Sequence, residues 1–121
     1  MTFCTFETST LIPVGSIVKK DNASILLNDN QVDSILVGVV TRSYSNEDDT
    51  QYYAEVHIGG GVTFAKLSNA WDGTFNRLIV NNDGVESSTN SSQYHGYLIP
   101  QLPPVAKAAG DIVAIYWRGA M

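Results

Sequence analysis

Few side chains in this sequence are equipped for chemistry. Cys4 is the single cysteine, and His57 and His95 are the two histidines. A cysteine–histidine dyad needs both groups within hydrogen-bond reach, and no local motif around Cys4 provides that. One thiol makes neither an intramolecular disulfide nor a zinc site, which needs three or four converging ligands. Cys4 therefore reads as an inert thiol on an N-terminal strand. In "QYYAEVHI" (51–58) His57 lies two positions after Glu55, so in an extended chain the two share a face. Such a pair has the make-up of an acid–base couple. At an outward position it reads instead as a solvated surface pair, because a general base needs a pocket and no nearby segment supplies one.

The carboxylates lead to the same place. "SNEDDTQ" (45–51) carries Glu47, Asp48 and Asp49 in a row. A calcium loop alternates its oxygen ligands around an obligatory glycine, which is missing here, so the loop reads as solvated. "LNDN" (27–30) and "NNDG" (81–84) are turn formers. Asp72 and Asp111 stand at turn or strand starts, and nothing in the sequence brings them together. The three glycines of "EVHIGGGVTFAKL" (55–67) raise the question of a phosphate loop. A phosphate loop opens a helix, whereas Val62-Thr63-Phe64 favours a strand, and no Lys-Ser or Lys-Thr pair is present to complete the motif. The glycines read as a bend between two strands paired as a hairpin. No cofactor and no metal site is expected.

The elements that would position any site are strands. "GSIVKK" (15–20), "SILL" (24–27), "SILVGVVTRSY" (34–44), "QYYAEVHI", "VTFAKL" (62–67), "NRLIV" (76–80), "HGYLI" (95–99) and "DIVAIYWR" (111–118) are separated by polar turn clusters. No window carries an amphipathic helical stripe, and "PPVAKAAG" (103–110) is the one place for a single helical turn. "SSTNSSQ" (87–93) reads as an exposed loop. The expected fold is all-β, a small single-domain β-barrel or sandwich of about eight short strands over residues 1–121, with residues 1–12 an N-terminal arm or strand.

Composition narrows the partners. Of 121 residues, 16% are charged, and 12 acids against 7 lysines and arginines leave a net charge of −5, which disfavours nucleic acid. No segment has the make-up of a signal peptide or a membrane span, so the expectation is a soluble, cytoplasmically made protein. Two strands are apolar on both faces. In "DIVAIYWR" Ile112, Ala114 and Tyr116 oppose Val113, Ile115 and Trp117. In "SILVGVV" Ile35, Val37 and Val39 oppose Leu36, Gly38 and Val40. A small barrel receives one face of each strand, so the second face must meet loops, the N-terminal segment or a protein partner. Tyr52, Tyr53, Trp71, Tyr116 and Trp117 are the candidate interface anchors, with Trp117 expected to face outward.

Taken together, "GSIVKKDN", "DSILVGVVTRS", "VHIGGGVTFAKL", "GYLIP" and "AGDIVAIYW" resemble the small all-β modules of tailed-phage virions. The shared pattern is a D-x-x-x-VGVV strand, a GGV hairpin, a G-x-L-I-P step and a GD-x-V-A strand, over about residues 13 to 118. The resemblance implies a non-enzymatic head decoration, cement or fibre protein that assembles as a homotrimer. It would attach to the major capsid protein or another virion protein, with no nucleic acid and no membrane involved. No functional residue carries over from it. The alternative expectation is a carbohydrate- or receptor-binding module using Trp71-Asp72-Gly73 and the Asn-, Ser- and Tyr-rich loops. A small hydrolase built on His57 ranks last.

Overall fold

The computed structural model describes residues 2–22, 24–29, 36–89 and 94–119. They form ten strands in two five-stranded antiparallel sheets and no helix. The strands are β1 (Thr2–Thr8), β2 (Ile17–Asp21), β3 (Ser24–Leu27), β4 (Leu36–Ser45), β5 (Tyr52–Gly59), β6 (Gly61–Lys66), β7 (Asn76–Asn81), β8 (Gly84–Ser88), β9 (Gly96–Leu98) and β10 (Ile112–Trp117). The first sheet has the order β1-β5-β4-β2-β3 and the second β6-β10-β9-β7-β8. Neither closes into a barrel. The expected strands are all present, with residues 34 and 35 of the third segment, "SILVGVVTRSY", outside the described residues. β1 is the strand form of the N-terminal arm or strand expected over residues 1–12, and one further strand appears, β8, which takes up the first residues of the segment read as an exposed loop. Residues 90–93 of that segment lie outside the described residues.

Each sheet rolls around its own apolar cluster. In the first, Val18, Ile25, Val40, Ala54 and Val56 converge with Ile12 from the preceding loop, and Phe6, Val37 and Ile58 pack against them. Its two edge strands, β1 and β3, approach each other, and the Ser24 hydroxyl donates to the Glu7 carbonyl between them. In the second, Leu67, Leu78, Val80, Val85, Leu98, Val113, Ile115 and Trp117 converge, and Ile17, Leu36 and Val39 of the first sheet enter the same cluster. Its edges are tied by the Leu67–Val85 bridge and the Ser68 amide donating to Val85 O at 2.8 Å.

β4 turns one face to each cluster, and two bulges shift which residues those faces carry. Val18 pairs with Gly38 and Lys19 with Leu36, so Val37 is an extra residue. Val40 pairs with Val56 and Arg42 with Glu55, so Thr41 is a second one. Each extra residue inverts the facing of the residues beyond it. Leu36 and Val39 therefore share one cluster, and Val37 and Val40 the other, which corrects the simple alternation read from "SILVGVV". The second apolar face of this strand is covered by the chain itself, through Ile12, Val18 and Ile25.

The glycine bend also differs from expectation. β5 and β6 lie in different sheets, so Gly59-Gly60-Gly61 is a corner between sheets and not a paired hairpin. Gly60 has φ +84°, a region unfavourable for a side chain, and its amide donates to Trp117 O at 2.8 Å. A Cβ on Gly59 would meet Arg118 O at 2.6 Å. Residues 103–110 do not form a helical turn. Lys107 instead makes an antiparallel bridge to Trp71, exchanging amide–carbonyl hydrogen bonds of 2.8 and 2.9 Å.

Candidate interaction surface

Of the exposed aromatic and aliphatic side chains, Val62, Phe64, Ile112 and Tyr116 stand together on the outward face of the second sheet, and the cause lies in how β6 and β10 divide volume. Trp117 sits opposite Gly61, Ile115 opposite Thr63 and Val113 opposite Ala65. Large residues on β10 fill the core against small ones on β6, as close packing requires. The larger members of β6 are thereby left outside. Val62 stands opposite Tyr116, Phe64 opposite Ala114 and Lys66 opposite Ile112. Phe64 is 58% exposed and Ile112 49%.

Aromatic contacts extend this face across β9. Tyr116 pairs with Tyr97, with ring centroids 6.3 Å apart. Tyr97 stacks on Phe75 at 5.4 Å and meets Tyr94 at 5.5 Å. Phe75 itself is 61% exposed. The Tyr97 hydroxyl donates to that of Tyr94 at 3.3 Å. That bond lowers the Tyr94 hydroxyl from its ordinary value, with Arg118 and Arg77 adding to the effect, and raises that of Tyr97. Both guanidiniums lie over the Tyr94 ring, Arg118 at 4.3 Å and Arg77 at 4.9 Å, and Arg118 also donates to Tyr94 O at 2.7 Å. Lys66 is paired with Asp83 at 2.5 Å. The face is a stacked aromatic and aliphatic surface whose cations are already engaged.

The five anchors expected from the sequence do not come together. Tyr116 belongs to the face. Tyr52 and Tyr53 lie half-buried at the far end of β5, where Tyr53 stacks on Tyr44 at 5.3 Å and Arg42 covers the Tyr44 ring at 4.6 Å. Trp117 is fully buried, which corrects its outward assignment. Its indole N–H donates to Ile58 O at 3.0 Å, and its ring stacks on His95. Trp71 is also in the core, with its indole N–H donating to Thr74 O at 2.9 Å. A Trp71 platform for a sugar is thus not displayed, and Asp72 spends its carboxylate on the Thr74 amide and hydroxyl, which lower its pKa. Val62, Phe64, Phe75, Tyr94, Tyr97 and Ile112 were missed as anchors. The available signal was the size contrast within "GVTFAKL", where the bulky residues alternate with Gly61, Thr63 and Ala65.

The chemistry-bearing residues are dispersed as well. His57 is fully buried, not outward as its position beside Glu55 suggested, because its face of β5 turns toward the other sheet. Phe3 of β1 packs edge-on against its ring at 4.9 Å. Among the described residues neither ring nitrogen has a hydrogen-bond partner, and burial pulls its pKa below the ordinary 6.5. Glu55 instead accepts from the Thr41 hydroxyl at 3.1 Å. Cys4 is exposed and pairs with Val56, one residue out of step with His57, so the sheet separates thiol from imidazole. His95 accepts the Val80 amide at Nδ1, 3.3 Å away. The acidic loop is organised by Asn46, whose Oδ1 accepts from the Thr50 and Gln51 amides at 2.9 and 3.1 Å. Among the described residues no group of three or more histidine, cysteine, aspartate or glutamate side chains is placed to hold a metal ion. No helix among them is long and apolar enough to cross a membrane.

No protein-family model matches the chain, and neither a curated protein nor a solved structure matches it.

Proposed function

We propose that this protein is a non-enzymatic structural module of a tailed-phage virion, a capsid decoration, cement or fibre component. In this reading it assembles with copies of itself, as a homotrimer, and attaches to the major capsid protein or another virion protein. The sequence pattern supplies the virion part of the reading. The observation that carries the assembly part is the bare aromatic and aliphatic face of β6, β10 and β9. Large exposed apolar patches on soluble domains mark interaction sites, and the buried tryptophans show that this fold does not lack the means to cover such side chains. The test is to ask whether the protein is present in purified, nuclease-treated particles and whether the isolated protein sediments above monomer mass. Absence from particles overturns the virion part of the reading, and a monomer in solution overturns the assembly part.

A further inference from the structure

We infer that the outward face of the second sheet, centred on Val62, Phe64, Ile112, Tyr116, Tyr97 and Phe75, is covered by a second copy of this chain. The inference rests on the reading of the chain as a self-assembling module and names the surface and its occupant.

Two observations favour a second copy. The first is area. An aromatic side chain carries roughly 150–250 Å². At exposures of 58%, 61% and 37%, Phe64, Phe75 and Tyr116 leave about 300 Å² open, and Val62 and Ile112 bring this to on the order of 500 Å². A stable interface takes about 800 Å² from each partner, and about two-thirds of it is apolar between identical chains. The face therefore supplies the apolar core of one standard contact and leaves only a polar rim to be added. Register makes it continuous: Phe75 stacks on Tyr97, Tyr97 meets Tyr116, and Tyr116 stands opposite Val62. The second is charge. With a net charge of −5, copies of this chain repel one another. From β6 across β10 to β9 the outward positions are Val62, Phe64, Lys66, Ile112, Ala114, Tyr116 and Tyr97, with no carboxylate among them. Lys66 is already paired with Asp83. A second copy docking here thus meets no carboxylate on the outward positions of these three strands, and no unpaired cation at the centre of the contact.

Phe64→Glu and Ile112→Glu place a carboxylate on this face while leaving the core residues untouched. Analytical ultracentrifugation of the purified full chain is expected to show an oligomer for the wild type. Each variant should associate about a hundredfold more weakly, because the contact would bury an unpaired charge. Circular dichroism and thermal melts confirm that each variant is folded. Leu102→Glu is the control: among the described residues Leu102 is the most exposed large apolar residue, at 90%, and it lies outside the sheet, so this change should leave association as in the wild type. A wild type that is monomeric at about 100 µM, or folded Phe64→Glu and Ile112→Glu proteins that keep the wild-type mass, would overturn the inference. Particle incorporation separates the two claims. Presence in particles with undiminished association of the variants sinks the inference and leaves the virion reading standing. Face-dependent association in a protein absent from particles does the reverse.

Discussion

His57 holds an imidazole in the core with no hydrogen-bond partner for either nitrogen among the described residues, and the consequence is a defined pH dependence. Burial disfavours the imidazolium, so the folded-state pKa lies below 6.5 while the unfolded chain keeps about that value. Between the two values the unfolded state binds more protons, so stability rises with pH across that window and is complete above it. Lowering the pH below about 6.5 is therefore expected to weaken the fold before most carboxylates titrate. Urea unfolding of wild type and His57→Leu at pH 7.5 and 5.5 reads this out, since all other groups, His95 included, are common to both. The wild type should lose more stability than the variant on acidification. Parallel losses would show that His57 titrates normally. Phe3, edge-on to the ring, makes β1 the element most directly exposed to this charge.

At the scale of elements, the corner between β5 and β6 gives a second expectation. Gly60→Ala places a side chain at φ +84° and should cost roughly 1 kcal/mol, although open space surrounds the position. Gly59→Ala should cost more, because its Cβ would meet a backbone carbonyl, Arg118 O, at 2.6 Å. Chemical denaturation of the two variants decides it, and two alanine proteins as stable as wild type would show a corner that adapts freely. The presence of these strands was legible in the sequence because Val-, Ile- and Tyr-rich runs between turn clusters have few other uses. Their facing was not. Alternation in β4 is inverted by the extra residues Val37 and Thr41, and a bulge has no signature in apolar periodicity. β6 shows its larger residues outward only because Trp117 and Ile115 occupy the space inside, a fact that resides fifty residues away in the chain. β8 escaped because "GVESS" holds one large apolar residue, though the turn before it, with Asn82 at φ 52°, is a recognised hairpin former. The surface site suffered most, since deciding which Tyr or Trp is exposed depends on these same facings.

At the scale of the whole molecule, two clusters share one strand, and the sheets are stitched by the Ile17 amide to Asp83 O and the Lys66 amide to Gly15 O, both 2.9 Å. Contacts of such long sequence separation predict slow folding, in milliseconds to seconds. The order of the second sheet adds a directional constraint. β10 lies between β6 and β9 and carries the buried Trp117, so an internal strand of this sheet is also its last in sequence. A fragment of residues 1–110 should therefore fail to order the second sheet. Its Trp71 emission should be red-shifted, and limited proteolysis should cut readily between residues 61 and 110. Native-like emission and protection in that fragment would refute the expectation. In a cell the same arrangement sets a timetable. Synthesis runs at about 5–20 residues per second, and β6 emerges long before the partner that it needs on its inner edge. For that interval Val62, Phe64 and the unfilled cavity beside Gly61 are open together, and the nascent chain is a client for whatever holds apolar strands apart until residue 117 arrives.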